Sequence, residues 1–272
     1  MKRHLLKITF CALVLAQAGI ARADQAADAT AKAPEAAPAA AAAPEPAKEW
    51  SVAVGADYFS EYIFRGVDLL GNDPVFVPSV VGKWKGLTAY YYGYYGDSDS
   101  PNNTWYQEAD IGADWTQTVL DGKLALTAGA LYYLYPDGNS GADTWEIYGK
   151  VTYVSYFNPY IALNWDIDEF NAGYGVVGVT HTYDISKYVK LEDGKLTITG
   201  MAQLGIDFGY NSRATQSNVN WNDILFGPSI TFAITPALNV HAGWQTSIAL
   251  NSLNDIGQHN NSFANIGVGY AF

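Results

Sequence analysis

The stretch Asn261–Phe272, with the sequence NSFANIGVGYAF, decides the fold class. Its alternate residues are apolar or small: Ala264, Ile266, Val268, Tyr270 and Phe272. The residues between them are Phe263, Asn265, Gly267, Gly269 and Ala271. Because successive side chains of a strand point to opposite faces, this pattern predicts a strand with one apolar face and one small or polar face. Its aromatic end is what we expect of a last strand that pairs with the first strand of a closed barrel.

The same alternation recurs from residue 50 onward and is clearest between Trp105 and Val119. One predicted face of that strand carries Trp105, Ala109, Ile111, Ala113 and Trp115, and the other carries Tyr106, Glu108, Asp110, Gly112 and Asp114. The two tryptophans would lie about 25 Å apart on a tilted strand, which matches the apolar band of an outer-membrane barrel. The facing of the eighth strand, Tyr174–Tyr183, is ambiguous.

About twelve such strands alternate with connections that are long after odd strands and mostly short after even ones, as in transmembrane barrels. The sequence therefore predicts that residues 49–272 form an all-β, closed, antiparallel, up-and-down transmembrane β-barrel. An even strand count places both ends of the barrel in the periplasm. Several lysines fall in the predicted periplasmic turns: Lys83, Lys85, Lys123, Lys187, Lys190 and Lys195. Acids fall in the predicted outer loops: Asp68, Asp73, Asp97, Asp99, Asp137, Asp143, Asp168 and Glu169.

The first 48 residues have a different composition from the rest. Residues 1–23 combine a basic start, a short apolar run and the small-residue site Ala21-Arg22-Ala23, which together predict a signal peptide. Cys11, the one cysteine of the chain, lies in this segment. Residues 24–48 are rich in Ala and Pro, and we expect them to form a disordered tether in the periplasm.

The chain is acidic and contains few charged residues. Its formal net charge is −12, and removal of the four basic residues in 1–23 leaves 11 basic against 27 acidic residues, a net charge of −16. This balance argues against nucleic acid as a partner. Charged residues make up 15% of the chain and aromatic residues 14%, a composition that suits a strand-rich protein in contact with lipid.

Several short motifs resemble one known family. The stretch Glu61–Val67, with Asn72-Asp73-Pro74 after it, is similar to the start of the barrel in the TorF-type porin family of Gram-negative outer membranes. The acidic alternation of the fourth strand and the run Asn164-Trp165-Asp166 are similar as well. The resemblance implies an outer-membrane barrel with a pore, and it supplies no catalytic residues.

The end of the chain also resembles the C-terminal signal by which outer-membrane barrels are recognised for insertion. Tyr270 and Phe272 would carry that signal, and the barrel-assembly machinery would be a partner during insertion. Outer-membrane lipid and lipopolysaccharide would then surround the barrel.

The face opposite the apolar one would line the lumen. Ten charged or titratable residues are predicted there: Asp57, Glu108, Asp110, Asp114, Glu146, Lys150, Asp166, Asp207, Asp223 and His241. Because buried charges are costly unless they are paired or hydrated, this set indicates a wet, acidic interior that attracts cations. The predicted function is a porin-like channel for passive diffusion of small hydrophilic solutes, with a preference for cations. The alternative is a structural barrel whose lumen is plugged by pairing of these acids with Tyr and Lys side chains.

Arg65 is a candidate for a constriction loop. It lies among aromatic residues just after the first strand, and it is one of two arginines beyond residue 23; the other is Arg213. Two roles remain open. Arg65 could pair with a lumen acid in a loop that folds into the pore, or it could clamp the loop by stacking and hydrogen bonding.

An outer-membrane lipid hydrolase is a weaker alternative. It would use His241 with Ser247 and Asn239, which share a predicted face, but no nucleophile motif surrounds them. We expect no enzyme activity, no cofactor and no metal site. The sequence does not indicate the solute or the oligomeric state.

Overall fold

A computed structural model describes residues 50–100, 103–136, 141–212 and 219–272. The predicted signal peptide and tether lie outside these residues, as do Asp137 and Arg213. Within the described residues there are fourteen strands, of which twelve form one closed barrel. The barrel strands are β1 (Trp50–Phe59), β4 (Val75–Trp84), β5 (Leu87–Ser100), β6 (Asn103–Val119), β7 (Leu124–Leu134), β8 (Thr144–Tyr153), β9 (Tyr160–Asp166), β10 (Gly173–Asp184), β11 (Leu196–Phe208), β12 (Asn220–Ala233), β13 (Leu238–Ala249) and β14 (Asn261–Ala271).

The remaining elements are short. Strands β2 (Ile63–Phe64) and β3 (Val67–Asp68) pair with each other, a 3-10 helix spans Ser186–Val189, and helix α1 spans Asn251–Asp255. No helix in the described part of the chain is long and apolar enough to cross a membrane.

Neighbouring barrel strands are antiparallel and follow the chain order, and β1 closes the ring by pairing with β14. In that seam Ala53 lies opposite Ala271, and Phe59 lies opposite Asn265. The Phe272 backbone N–H donates to the Val52 carbonyl at 2.9 Å, so β1 begins and β14 ends at the same end of the barrel. The predicted closed, twelve-stranded, up-and-down barrel is confirmed.

The predicted facing of the strands is also confirmed. On β6, Trp105, Ile111 and Trp115 are exposed on the outer wall, whereas Glu108 and Asp110 are buried inside. The outer wall of the other strands carries similar exposed apolar side chains, among them Val80, Leu126, Ile147, Ile161, Val177, Ile230 and Ile266. Large apolar side chains without protein neighbours are stable where lipid replaces water.

Strand β10, whose facing the sequence leaves open, follows the same rule. Val177, Val179 and Tyr183 are exposed on the outer wall, and Tyr174 and Val176 are buried inside. The residues between Tyr174 and Val179 are almost all apolar or glycine, so the sequence carries no alternation there. The pairing of β10 with its two neighbours in the closed ring determines which of its side chains point outward.

The hairpin between β5 and β6 is longer than the apolar alternation of its strands indicates. Strand β5 continues to Ser100 and β6 starts at Asn103, with Asp97 opposite Trp105. This hairpin extends beyond the apolar band of the barrel, where both faces of a strand can meet water. The apolar alternation that marks a membrane strand is therefore missing, although the backbone pairing continues.

The predicted sorting of charge between the two ends holds only in part. At the barrel end where β1 begins and β14 ends, the turns carry Lys85, Lys123, Lys187, Lys190 and Lys195. Lys83 points into the lumen instead. Four acids lie at the same end, however: Asp121, Asp184, Glu192 and Asp193. Lys187 forms an exposed ion pair of 3.4 Å with Asp193, so this end is mixed in charge rather than basic.

Candidate functional site: the lumen and loop one

Loop one, residues 60–74 between β1 and β4, folds into the barrel. Tyr62, Phe64 and Arg65 are at most 1% exposed. The sequence leaves open whether this loop enters the lumen, and the burial of these side chains places it inside. Six apolar or aromatic side chains in residues 62–70 are the signal that identifies the loop as buried: Tyr62, Ile63, Phe64, Val67, Leu69 and Leu70. Burying them offsets the entropy lost on ordering the loop.

The tip of loop one is a two-residue turn between β2 and β3. Arg65 has φ +47° and Gly66 has φ +79°, and two successive left-handed residues are typical of a tight hairpin turn. Glycine is needed at position 66 for space as well. A Cβ there would lie 2.3 Å from the Leu253 Cδ1 atom, and Leu253 is itself fully buried.

The Arg65 side chain is paired with a lumen acid. Its Nη2 donates to the Glu146 Oε2 atom at 2.6 Å, and both side chains are at most 1% exposed. The guanidinium lies 4.7 Å from the Phe64 ring centre, 4.9 Å from that of Tyr174 and 4.3 Å from that of Tyr210. Burial lowers the pKa of Arg65, but Glu146, Tyr210 and Tyr133 together outweigh burial and raise the pKa above its usual range. Arg65 therefore combines both predicted roles, an ion pair and a clamp.

Two asparagines hold the backbone of the same turn. The Asn222 Nδ2 donates to the Arg65 carbonyl at 2.7 Å, and the Asn211 Nδ2 donates to it at 3.3 Å. Asn222 can face inward because β12 contains a β-bulge: Leu204 lies opposite Ile224, but Ile206 lies opposite Trp221. The extra residue turns Asn222 and the next residue, Asp223, toward the lumen together. Sequence reasoning missed both asparagines, because alternation does not mark a bulge.

Tyrosines fix the other side of loop one. The Tyr62 hydroxyl donates to Glu108 at 3.0 Å, and the Tyr106 hydroxyl donates to the same carboxylate oxygen. The Tyr62 ring stacks on Tyr94 with ring centres 5.0 Å apart. Asp110 lies beside Glu108 and is fully buried. Its Oδ1 atom and the Arg65 Nη1 atom are both buried without a hydrogen bond in the described part of the chain.

Three further predicted lumen acids support the outer rim. The Asp166 Oδ1 accepts the Phe170 N–H at 2.8 Å, and the Asp207 carboxylate accepts the N–H groups of Asn211 and Ser212 at 2.9 and 2.8 Å. Asp223 accepts the Tyr174 hydroxyl at 2.7 Å. All three acids are buried; Asp166 and Asp207 bind the outer loops that follow their strands, and Asp223 links β12 to β10.

The inner half of the lumen carries the remaining predicted residues. Asp114 accepts the Tyr148 hydroxyl at 3.0 Å. Lys150 Nζ lies 4.4 Å from the Tyr160 ring centre. Across the barrel, His241 Nε2 lies 2.7 Å from Asp57 Oδ1. These side chains are half-buried, so water reaches this part of the lumen.

The structure does not assemble a hydrolase site. His241 and Ser247 both point inward on β13 but are six residues apart, about 20 Å along a strand. Ser247 donates to Asp223 at 3.3 Å, and His181 lies on the outer wall against Tyr156. Within the described residues, no three His, Cys, Asp or Glu side chains are grouped so that they could hold a metal ion.

The barrel resembles those of solved outer-membrane proteins. It is similar to the NanC porin, with 12% identity, a TM-score of 0.54, and coverage of 80% of this chain and 98% of that one. It is similar to the KdgM porin, with 8% identity, a TM-score of 0.51, and coverage of 81% and 99%. The COG4313 outer membrane channel from Pseudomonas putida F1 shares 11% identity and a TM-score of 0.50, over 85% and 100%. At these identities the likeness concerns the fold alone.

Sequence comparison places the chain in a family. No curated protein matches it. Residues 41–234 match the family described as bacterial protein of unknown function (Gcw_chp), and this match spans more than half of the 272 residues. The chain is therefore a member of the Gcw_chp family.

Proposed function

We propose that the protein is a porin-like channel of the Gram-negative outer membrane, through which small hydrophilic solutes diffuse passively. One observation carries the proposal: a closed barrel of twelve strands is apolar on its exposed outer wall and polar inside. Closure of the ring pairs the backbone N–H and C=O groups of every strand edge. The hydrocarbon core of a membrane requires this pairing, because it holds no water to bind those groups. A polar interior indicates water inside the barrel.

The comparisons and motifs support this function. Two of the similar solved structures are porins and a third is an outer membrane channel. The stretch Glu61–Val67 resembles the TorF-type porins. We further propose that residues 1–23 direct export, that residues 24–48 tether the barrel in the periplasm, and that Tyr270 and Phe272 are recognised by the barrel-assembly machinery. Lipid and lipopolysaccharide would surround the outer wall.

Loop one sets the width of the channel in this proposal. It occupies the outer half of the lumen, and its tip is fixed to β8 by Arg65 and Glu146. The inner half is lined by small polar side chains such as Ser79, Thr127 and Ser229. Solutes would therefore meet a wide inner vestibule and a narrow outer segment.

A cation preference follows from the lumen charges. The described inward side chains include eight acids: Asp57, Glu108, Asp110, Asp114, Glu146, Asp166, Asp207 and Asp223. The inward bases are Lys83, Lys150 and Arg65, with His241 as a fourth titratable group. An excess of carboxylates along an aqueous path attracts cations and repels anions.

A structural barrel with a plugged lumen is the second candidate. It is favoured by the burial of loop one, since Tyr62 is 0% and Arg65 1% exposed. In that case the barrel would hold its lumen shut, and loop one would be a permanent part of its core.

Planar-bilayer recording separates the two candidates. The wild type is compared with a variant in which residues 62–70 are replaced by an equally long Gly-Ser segment, and with a control that carries such a segment at residues 187–193. The channel predicts steady wild-type openings, larger openings for the loop-one variant, an unchanged control, and reversal potentials in a salt gradient that show cation preference. A silent wild type beside a conducting loop-one variant would establish the plugged barrel. Silence of all three folded proteins would refute the channel.

A further inference from the structure

Below loop one, the lumen has two unlike walls. Strands β5 to β9 point tyrosines inward, among them Tyr90, Tyr92, Tyr148 and Tyr160. The opposite wall, formed by β12, β13, β14 and β1, presents small residues at the same depth: Gly227, Ser229, Gly243, Gly267, Gly269 and Gly55. The two walls therefore differ in the size of the side chains that they present to the lumen.

A polar cluster lies on that wall. Asp57 of β1, His241 of β13 and Asn265 of β14 come together there, although they are far apart in sequence. His241 Nε2 lies 2.7 Å from the Asp57 Oδ1 atom, and Asn265 Nδ2 donates to the same oxygen at 3.2 Å. Asp57 and His241 are each 22% exposed, so the cluster is ordered by the wall and open to the lumen.

Two glycines make room for this cluster. A Cβ at Gly267 would lie 2.4 Å from Asp57 Oδ1 and 2.4 Å from His241 Nε2. A Cβ at Gly243 would lie 2.5 Å from Asn265 Oδ1. Any larger residue at either position would displace the polar side chains. The small-residue wall is thus built around the cluster.

The cluster presents acceptors rather than donors to the lumen. An ionised Asp57 only accepts hydrogen bonds, so the His241 Nε2 atom donates to it. Asn265 directs Nδ2 toward Asp57 and leaves Oδ1 as an acceptor. Both bonds end on Oδ1 of Asp57, and no hydrogen bond to its Oδ2 is found within the described ranges. Asp57 Oδ2 and Asn265 Oδ1 are therefore the acceptors of the cluster, and the Asp57 carboxylate supplies a negative charge.

We propose that this cluster binds the primary ammonium group of small solutes. Such a group carries one positive charge and several N–H donors, which match the charge of Asp57 and the acceptors Asp57 Oδ2 and Asn265 Oδ1. The inward lysine Lys150 lies on β8, across the ring from β1, and the inward lysine Lys83 lies opposite Ser51, about 20 Å along β1 from Asp57. The inference deepens the proposed channel function by naming a solute class.

Binding of an ammonium group to the cluster can be tested without measuring conductance. The ring signals of His241 are followed by NMR in micelles, near pH 8 where histidine side chains are in general neutral, while ethylammonium is added. We expect a saturable shift of the His241 signals with ethylammonium and none with tetramethylammonium, which has no N–H donor. His181 on the outer wall and His259 serve as internal controls that do not shift. Asp57→Asn should abolish the shift, and Asp114→Asn, a matched lumen acid on the tyrosine wall, should retain it.

The outcomes separate this inference from the channel proposal. An equal response to tetramethylammonium, or a response of Asp57→Asn like that of the wild type, would overturn the ammonium site. A saturable, Asp57-dependent shift in a protein that shows no current would support the site and refute the channel. In a conducting protein, Asp57→Asn should reduce the permeability of ethylammonium relative to potassium several-fold more than Asp114→Asn does.

Discussion

Arg65 joins three parts of the molecule at one residue. Its side chain pairs with Glu146 on β8, its guanidinium lies among three aromatic rings, and its carbonyl accepts from Asn222 on β12. A buried ion pair contributes little net stability compared with apolar residues of the same size, because both charges lose hydration. The ion pair instead fixes the position of loop one, because the loop brings Arg65 to a counter-charge in one place only.

A double-mutant cycle tests this pairing. Arg65→Met alone leaves Glu146 buried without a counter-charge, and we expect it to lower the free energy of unfolding by about 3–5 kcal/mol. Arg65→Met with Glu146→Leu removes both charges and should recover most of that loss. Denaturant unfolding in detergent measures all four proteins. Additive losses in the double variant would show that the two side chains do not interact.

Loop one acts as a single packed element. Its hairpin tip lies under helix α1, where Leu253 is fully buried, and the Asp68 backbone N–H donates to the Gln258 side chain at 3.1 Å. The loop therefore contacts both the barrel wall and the connection between β13 and β14. Opening the outer lumen requires these contacts to separate together.

Two glycines with the same backbone conformation test this packing. Gly66 and Gly257 both have φ +79°, so alanine at either position carries a similar backbone cost of about 1–2 kcal/mol. A Cβ at Gly66 would also lie 2.3 Å from Leu253, whereas nothing lies within 4 Å at Gly257. We expect Gly66→Ala to lower the unfolding midpoint in detergent clearly more than Gly257→Ala. Equal shifts would contradict tight packing of the loop tip.

The elements differ in how well the sequence predicts them. Alternation defines the membrane strands, and the predicted strand Asn261–Phe272 agrees closely with β14. Alternation also places Glu108, Glu146 and Asp223 inside, because one face of each strand must meet lipid. It gives no information on where a connecting segment packs, so the position of loop one does not follow from it. Nor does it mark the bulge at Asn222, which depends on pairing with a strand distant in sequence.

At the scale of the whole molecule, the barrel has a hydrophobic exterior that only a membrane can cover. Ile111 is 47% exposed and lies between Trp105 and Trp115, which mark the two edges of the apolar band. The interior is divided as well, with loop one in the outer half and a polar vestibule in the inner half. A lipid environment is therefore part of the folded state.

Arginine substitutions on the outer wall test this orientation in the membrane. Ile111→Arg would place a charge near the middle of the bilayer, and we expect a loss of about 2–4 kcal/mol in the free energy of unfolding from lipid vesicles. Leu120→Arg is the control, because Leu120 lies in a turn and is 68% exposed; near the interface the expected loss is about 0–1 kcal/mol. Similar losses at both positions would place the apolar band elsewhere.

The seam between β1 and β14 has a consequence for how the protein is made. Asp57 pairs with Gly267, more than 200 residues later in the chain. The ribosome therefore completes one partner of the seam long before the other exists. Until β14 arrives, the sheet has two open edges, each of which is a template for pairing with another chain. Joining such distant segments is also intrinsically slow. These open edges persist until the final hairpin forms, and closure of the seam then removes this route to aggregation.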